Sequence, residues 1–371
     1  MRSSSELTVS LIWYVVMISV ASAFFNTESV KIKQFHKFMV TYRRPYKNTA
    51  EQVRSFDTLK SNLEVIEKLT DDKQNEARYG GVTTSSNLTP EESHRQVLRS
   101  INDSKEFEAL EMSGRGPVKP GQAREVPVSL NRRLPALSDS GSSNSREFSW
   151  VHRNPYYPDA GNQRGCGVCG AFAVVGAMEI MYSHVEKEAI QLSKQQLVDC
   201  DDRVNCDDEG VKLRPVFQYL KRNYLATEDK YPYRGTQGDQ DCNKRAVKAG
   251  VARILEYRRV RGEEEIKEAL RDGPLPASVI GSYLQGYYDG IITNCPNEQT
   301  DHHVTIVGYG VGYVDGEETP YYMIRNSWGT GYGIGGHAKI KRGTCNIEKT
   351  AYSITIERRT RGGFSCFGGQ C

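Results

Sequence analysis

The stretch Gln163-Arg-Gly-Cys166-Gly-Val-Cys169-Gly-Ala-Phe172 continues directly into Ala173-Val-Val-Gly-Ala-Met-Glu-Ile-Met-Tyr182. The second segment is apolar on nearly every face, which predicts a buried helix with Cys169 in its first turn. A thiol at that place lies beside backbone N–H groups without a helical partner and beside the positive end of the helix dipole. Both favour the thiolate, the nucleophilic form of cysteine. The sequence therefore predicts a reactive cysteine at position 169.

A reactive cysteine needs a proton acceptor, and the chain offers two imidazoles far downstream, His302 and His303. Neighbouring strand residues face opposite sides, so only one of the two can point at Cys169. Alternation does not choose between them, because both faces carry apolar neighbours. The motif Asn326-Ser-Trp328-Gly329 follows, with an amide that could orient an imidazole and an indole that could shield it.

The order Cys, His, Asn resembles the papain/cathepsin cysteine peptidases, in particular a cathepsin L-type zymogen with an inhibitor-like propeptide. The resemblance covers most of the chain. It implies an α+β papain-like two-lobe fold, with a helical lobe and an antiparallel β-barrel-like lobe, preceded by a helical propeptide domain. The active site would then lie in the cleft between the lobes, a common place for substrate sites.

The resemblance also implies a role for each site residue. Cys169 would be the nucleophile and His302 the base, because the family histidine lies six residues before the Gly308-Tyr-Gly310 motif. Asn326 would hold the imidazole ring, as the third member of a triad does. Gln163, six residues before the nucleophile, would donate to the oxyanion together with the Cys169 N–H. His302 and Asn326 follow Cys169 by 133 and 157 residues, close to the family spacing.

The chain contains nine cysteines, an odd number that suggests one free thiol beside several disulfides in a secreted protein. Spacing alone does not fix the connectivity. The resemblance leaves Cys169 free and implies three bridges, Cys166–Cys206, Cys200–Cys242 and Cys295–Cys345. Cys366 and Cys371 lie beyond the usual end of the family, and we expect them to close a small loop in the tail.

A chain of 371 residues is long enough for two or three packed units. Residues 1–23 are predicted to be a signal peptide, because Arg2 precedes an uncharged run, 7–25, and the small residues before it ends favour cleavage after Ala23. The run is also long enough for an uncleaved anchor. Cleavage is the preferred interpretation, with entry into the secretory pathway, a lysosomal or extracellular destination and no stable membrane association.

Residues 24–111 are predicted to form the helical propeptide, because apolar residues recur there at three and four positions. An ordinary helical hairpin would show the same periodicity, and the place of the segment decides for the propeptide. Residues 112–147 are rich in Gly, Pro, Ser and Arg and predict an exposed linker that carries the activation cleavage. Residues 148–371 would be the peptidase domain, where alternating runs at 303–309 and 321–325 predict antiparallel strands.

The chain departs from the family pattern beside the nucleophile. Gly170 stands where the family usually has Trp, and His303 where it usually has a small residue. Loss of a buried aromatic side chain costs about 3–5 kcal/mol unless neighbours fill the space. Asp208 and Glu209 replace glycines that normally let the substrate backbone approach, so they would crowd that wall and make it negative.

The combined prediction is a cysteine-type endopeptidase, made as a secreted or lysosomal zymogen and active as a monomer. Its partners would be peptide or protein substrates and its own propeptide as an intramolecular inhibitor, with no cofactor or metal. A net charge of +3 gives no reason to expect nucleic acid. The main alternative is a catalytically impaired papain-like homologue that acts as a binding or inhibitory protein. A zinc or redox role for the Cys166–Cys169 spacing is a weaker one, since no second pair accompanies it.

Overall fold

The structure, a computed structural model, describes part of the chain. The described residues are 31, 32, 35, 39, 48–71, 77–79, 146–206, 211–236, 241–295 and 299–359. Four predictions fall outside them: the signal peptide, nearly all of the 112–147 linker, the effect of Asp208 and Glu209, and the pairing of Cys366 with Cys371.

Most helices come before most strands along the peptidase region, an α+β arrangement, as the sequence predicts. The helices are α1 (Thr49–Asp71), α2 (Trp150–Arg153), α3 (Cys169–Glu186), α4 (Gln195–Cys200), α5 (Leu213–Arg222), α6 (Lys244–Lys248) and α7 (Gly262–Ala269). The strands are β1 (Arg78–Tyr79), β2 (Phe148–Ser149), β3 (Ala252–Val260), β4 (Leu275–Val279), β5 (Tyr287–Asp289), β6 (His302–Val314), β7 (Glu317–Arg325), β8 (His337–Lys341) and β9 (Ala351–Arg358).

Seven of the described strands form one antiparallel sheet around β6. The order is β3-β9-β4-β6-β7-β8, and β2 pairs with β6 as well. The predicted runs 303–309 and 321–325 lie within β6 and β7, so both strand predictions are confirmed. The first nine residues of β6 are buried without interruption, as expected for a strand that is covered on both faces.

Helix α3 packs against the sheet and against the other helices of the peptidase region. It is buried over most of its length, and its apolar residues share one core with side chains of α4, α5 and β9. Phe217 of α5 and Tyr352 of β9 meet there with ring centroids 5.1 Å apart. The helix ends where Lys187 takes a left-handed conformation, with φ 56°, and its N–H bonds back to Ser183. The buried helix predicted to begin at Cys169 is therefore confirmed.

The chain divides into two compact units. In the first, residues 1–65 and 82–89, Phe35 and Leu59 are buried and form a small apolar cluster with neighbouring helical residues. The second unit comprises residues 66–81 and 90–371. Within it, β1 pairs antiparallel with β5, so a short strand from the predicted propeptide range is hydrogen-bonded to the peptidase sheet region.

Three disulfides join the pairs that the family resemblance implies. They are Cys166–Cys206, Cys200–Cys242 and Cys295–Cys345. Cys169 is the free cysteine of the described residues, and it is buried. Of the helices in the described ranges, none is long and apolar enough to cross a membrane.

Candidate active site

Cys169 is the first residue of α3 and is fully buried. The residue before it, Val168, has the non-helical backbone of a helix N-cap, with φ −101° and ψ 34° and no side-chain cap. The thiol therefore belongs to the first turn of α3, where the helix dipole favours its ionised form.

His302 opens β6, and Asn326 lies directly after the end of β7. Nε2 of His302 is 2.8 Å from Oδ1 of Asn326, and both side chains are buried. The indole ring of Trp328 lies over this pair, with its centroid 5.1 Å from that of the His302 ring. Nε2 of His302 is therefore engaged by Asn326. Nδ1 is the ring nitrogen of His302 that would exchange a proton with a thiol.

Gln163 is held against the same segment of chain. Its backbone N–H donates to the Ser327 carbonyl at 2.8 Å, and its side-chain Nε2 donates to the Cys166 carbonyl at 3.1 Å. The hydroxyl of Ser327 donates to Oε1 of Gln163. Because Oε1 is engaged in this way, the orientation of the amide is set and Nε2 faces the turn that leads to Cys169.

Gly170 and His303, the residues that follow Cys169 and His302, lie next to each other. A Cβ placed on Gly170 would be 3.3 Å from Cδ2 of His303 and 2.2 Å from the carbonyl oxygen of Val211. His303 is buried, and its Nδ1 is 3.1 Å from the hydroxyl oxygen of Ser278 on β4. Burial lowers the pKa of His303 to about 3, and the neighbouring charge of His302 acts in the same direction. This imidazole is therefore neutral at ordinary pH.

Residues 145–355 match the family described as papain family cysteine protease. The chain belongs to the papain family. Probable cysteine protease RD19B of Arabidopsis thaliana is 29% identical over 382 residues, which cover 94% of this chain and 96% of the relative. Probable cysteine protease RD19C of the same plant is 30% identical over 330 residues, 84% of this chain and 81% of the relative.

A solved structure supports the fold of this papain-family chain. A recombinant stem bromelain precursor superposes with a TM-score of 0.69 at 25% identity, covering 88% of this chain and 98% of that one. The prediction of a papain-like α+β fold is confirmed, and so is the prediction of a papain-like cysteine peptidase. In the described part of this peptidase, no group of three or more His, Cys, Asp and Glu side chains is arranged to hold a metal ion.

A buried ionic network lies behind the site of this papain-family peptidase. Glu179 of α3 accepts from Lys194 through Oε1 and from Arg325 through Oε2, the latter at 3.0 Å. The three side chains are at most 4% exposed. Arg325 directly precedes Asn326, so the network ties the end of β7 to the middle of the nucleophile helix.

Sequence reasoning missed two of these contributions. Ser327 lies inside the Asn326-Ser-Trp328 motif, but nothing in the sequence shows that its hydroxyl reaches Gln163, 164 residues away. Glu179 left a usable signal, since a single carboxylate in an otherwise apolar helix must be paired if the helix is buried. His337 is buried, with Nε2 at 2.9 Å from the hydroxyl oxygen of Tyr157.

Proposed function

We propose that this cysteine peptidase is an endopeptidase that works through Cys169, His302 and Asn326, with Gln163 as oxyanion donor. The observation that carries the proposal is the buried His302–Asn326 hydrogen bond, 2.8 Å long and covered by Trp328. A free cysteine at the start of a buried helix supplies the nucleophile. No observation favours the impaired homologue over this function.

The chemistry follows from these positions. The Cys169 thiol gives its proton to Nδ1 of His302, and the thiolate attacks the carbonyl carbon of the scissile peptide bond. Nε2 of Gln163 and the Cys169 N–H donate to the oxygen that becomes negative. The imidazolium then protonates the leaving amine, and the acyl-enzyme forms. The neutral imidazole next takes a proton from water, the resulting hydroxide attacks the thioester, and the thiol is released.

The same proposal covers the maturation of the protein. We infer an inhibitory propeptide over residues 24–111, a signal peptide over 1–23 and cleavage within 112–147, so that the peptidase passes through the secretory pathway as a zymogen. The pairing of β1 with β5 supports this, because it shows residues of the propeptide range hydrogen-bonded to the peptidase region. The family relation to precursor structures such as that of stem bromelain points the same way.

The test is the Cys169→Ala variant of the full chain, compared with the wild type after activation. We expect the wild type to hydrolyse internal bonds of a casein substrate and to bind a thiol-directed epoxide at Cys169. The variant should do neither, although its thermal unfolding stays close to that of the wild type. Hydrolysis by the variant at a comparable rate would refute Cys169 as the nucleophile. An inactive wild type that folds would refute the peptidase mechanism.

N-terminal sequencing of the activated wild type tests the maturation separately. A new N-terminus within 112–147 is the expected result. A start inside the helical unit, or beyond Cys166, would contradict the proposed domain boundaries.

A further inference from the structure

Two groups lie close around the Cβ position of Gly170, the residue that follows Cys169 in α3. The place of a Cβ on Gly170 is only 2.2 Å from the Val211 carbonyl oxygen and 3.3 Å from Cδ2 of the His303 ring. Real Cβ atoms do not approach a backbone oxygen to 2.2 Å, so glycine is required here as long as Val211 keeps its position. The nucleophile is the immediate neighbour of this contact.

Each side of the contact is fixed by bonds of its own. Val211 is buried, and its N–H donates to the Gly167 carbonyl at 3.2 Å, which ties the loop to the turn before the helix. His303 lies opposite Ser278 in the β4–β6 ladder, and its Nδ1 is 3.1 Å from the Ser278 hydroxyl oxygen. Val211 and His303 are therefore each held by hydrogen bonds that do not involve Gly170.

The contact joins the two halves of the proposed catalytic pair. His302 and His303 are consecutive residues of β6, and Cys169 and Gly170 are consecutive residues of α3. The distance between His303 and Gly170 is therefore coupled to the distance between His302 and Cys169. A shift of the His303 ring relative to Gly170 changes the separation of the Cys169 sulfur from the His302 ring. A displacement of about 1 Å between reacting groups can lower a rate by about 100-fold.

We propose that His303 is a positioning residue of the peptidase reaction. Its buried imidazole and the Val211 carbonyl clamp Gly170 and thereby hold the Cys169 thiol and N–H in register with His302. The inference rests on the proposed function for the reaction that it serves. It assigns His303 no proton transfer, because the ring lies against the Cβ position of Gly170 and is neutral at ordinary pH.

The experiment compares His303→Ala with His337→Ala in the activated protein. Both remove a buried imidazole that is hydrogen-bonded to a hydroxyl, but His337 bonds to Tyr157 and is not among the nearest neighbours of the Gly170 Cβ position. We expect His303→Ala to lower kcat by about 10- to 100-fold with KM little changed. His337→Ala should keep kcat close to the wild-type value even if it lowers the melting temperature by the same amount.

Two further variants separate ring contact from simple loss of stability. His303→Phe keeps a flat ring against Gly170 and should recover part of kcat, whereas His303→Asn keeps a polar partner for Ser278 but not the contact and should not. Ser278→Ala removes the anchor of the ring with little change in volume and should lower kcat by about 3- to 10-fold. It also serves as the test if His303→Ala fails to fold.

The alkylation rate of Cys169 by iodoacetamide across pH gives a readout that does not need a peptide substrate. A loosened clamp should shift the pH at which the thiolate forms in His303→Ala and leave it unchanged in His337→Ala. Equal effects of the two variants on kcat and on alkylation, or an effect of His303→Ala on KM alone, would overturn the proposal. If the wild type alkylates at Cys169 as expected but hydrolyses no peptide, the proposed function fails while the clamp is still tested.

Discussion

At the scale of single residues, the orientation of the Gln163 side-chain amide decides whether it can donate a hydrogen bond to an oxyanion. An amide that is turned over presents an oxygen instead of N–H groups to the developing negative charge. In this protein the Ser327 hydroxyl donates to Oε1 of Gln163 and so selects the useful orientation. Both residues are buried, and water does not replace this hydrogen bond at low cost.

This arrangement predicts a small decrease in kcat for Ser327→Ala and a large decrease for Gln163→Ala. The first should lower kcat by about 3- to 10-fold, the worth of one ordinary hydrogen bond. The second should lower kcat by about 100- to 1,000-fold, the usual loss for an oxyanion donor, which is the role that we propose for Gln163. Steady-state kinetics on a single peptide substrate measures both.

The double variant is the control for this prediction. If Ser327 acts through Gln163, the loss in Gln163→Ala should not grow when Ser327→Ala is added, because there is no amide left to orient. Losses that multiply would show that Ser327 acts on another part of the site, such as the backbone beside Asn326.

At the scale of elements, the nucleophile helix is tied to the strand that carries Asn326 through buried charges. Glu179 of α3 lies between Lys194 and Arg325, and all three side chains are almost completely buried. Arg325 also donates to the Gly176 carbonyl of the same helix at 3.3 Å. Removing one partner from such a group leaves an uncompensated buried charge. This destabilises the fold more than replacing the whole group by well-packed apolar side chains.

We therefore expect Glu179→Gln to lower the free energy of unfolding by about 3–5 kcal/mol, measured by urea denaturation. Glu265→Gln is the matched control, because its ion pair with Arg258 is 3.0 Å long but largely exposed. It should cost less than about 1 kcal/mol. Similar losses in the two variants would mean that the Glu179 network contributes little to the stability of the helix.

The elements themselves could be predicted from the sequence, but the contacts between them could not. The apolar run after Cys169 predicted α3, and alternation predicted β6 and β7, since both signals are local. The choice of His302 over His303 needed the family resemblance. The contact of His303 with Gly170 joins positions 133 residues apart, so no local pattern contains it. Gly170 and His303 are both departures from the family pattern, and in the structure they lie next to each other.

At the scale of the whole molecule, buried imidazoles make the stability of the fold depend on pH. Burial lowers the pKa of His303 to about 3 and that of His337 to about 4, and the charge of Arg325 adds to the effect on His337. In the unfolded chain both have the ordinary value of about 6.5. Between these values the unfolded state binds more protons than the folded one, so stability is lost as pH falls below about 6.5.

His337 is the better probe of this effect, because His303 also takes part in the proposed clamp. Replacing it by Gln removes the proton uptake while keeping a polar partner for Tyr157. The slope of unfolding free energy against pH should then fall by up to about 1.4 kcal/mol per pH unit between about pH 4 and 6.5. His152→Gln, the same substitution at an exposed histidine, is the matched control. Parallel curves for His337→Gln and the wild type would show that His337 is protonated equally in both states.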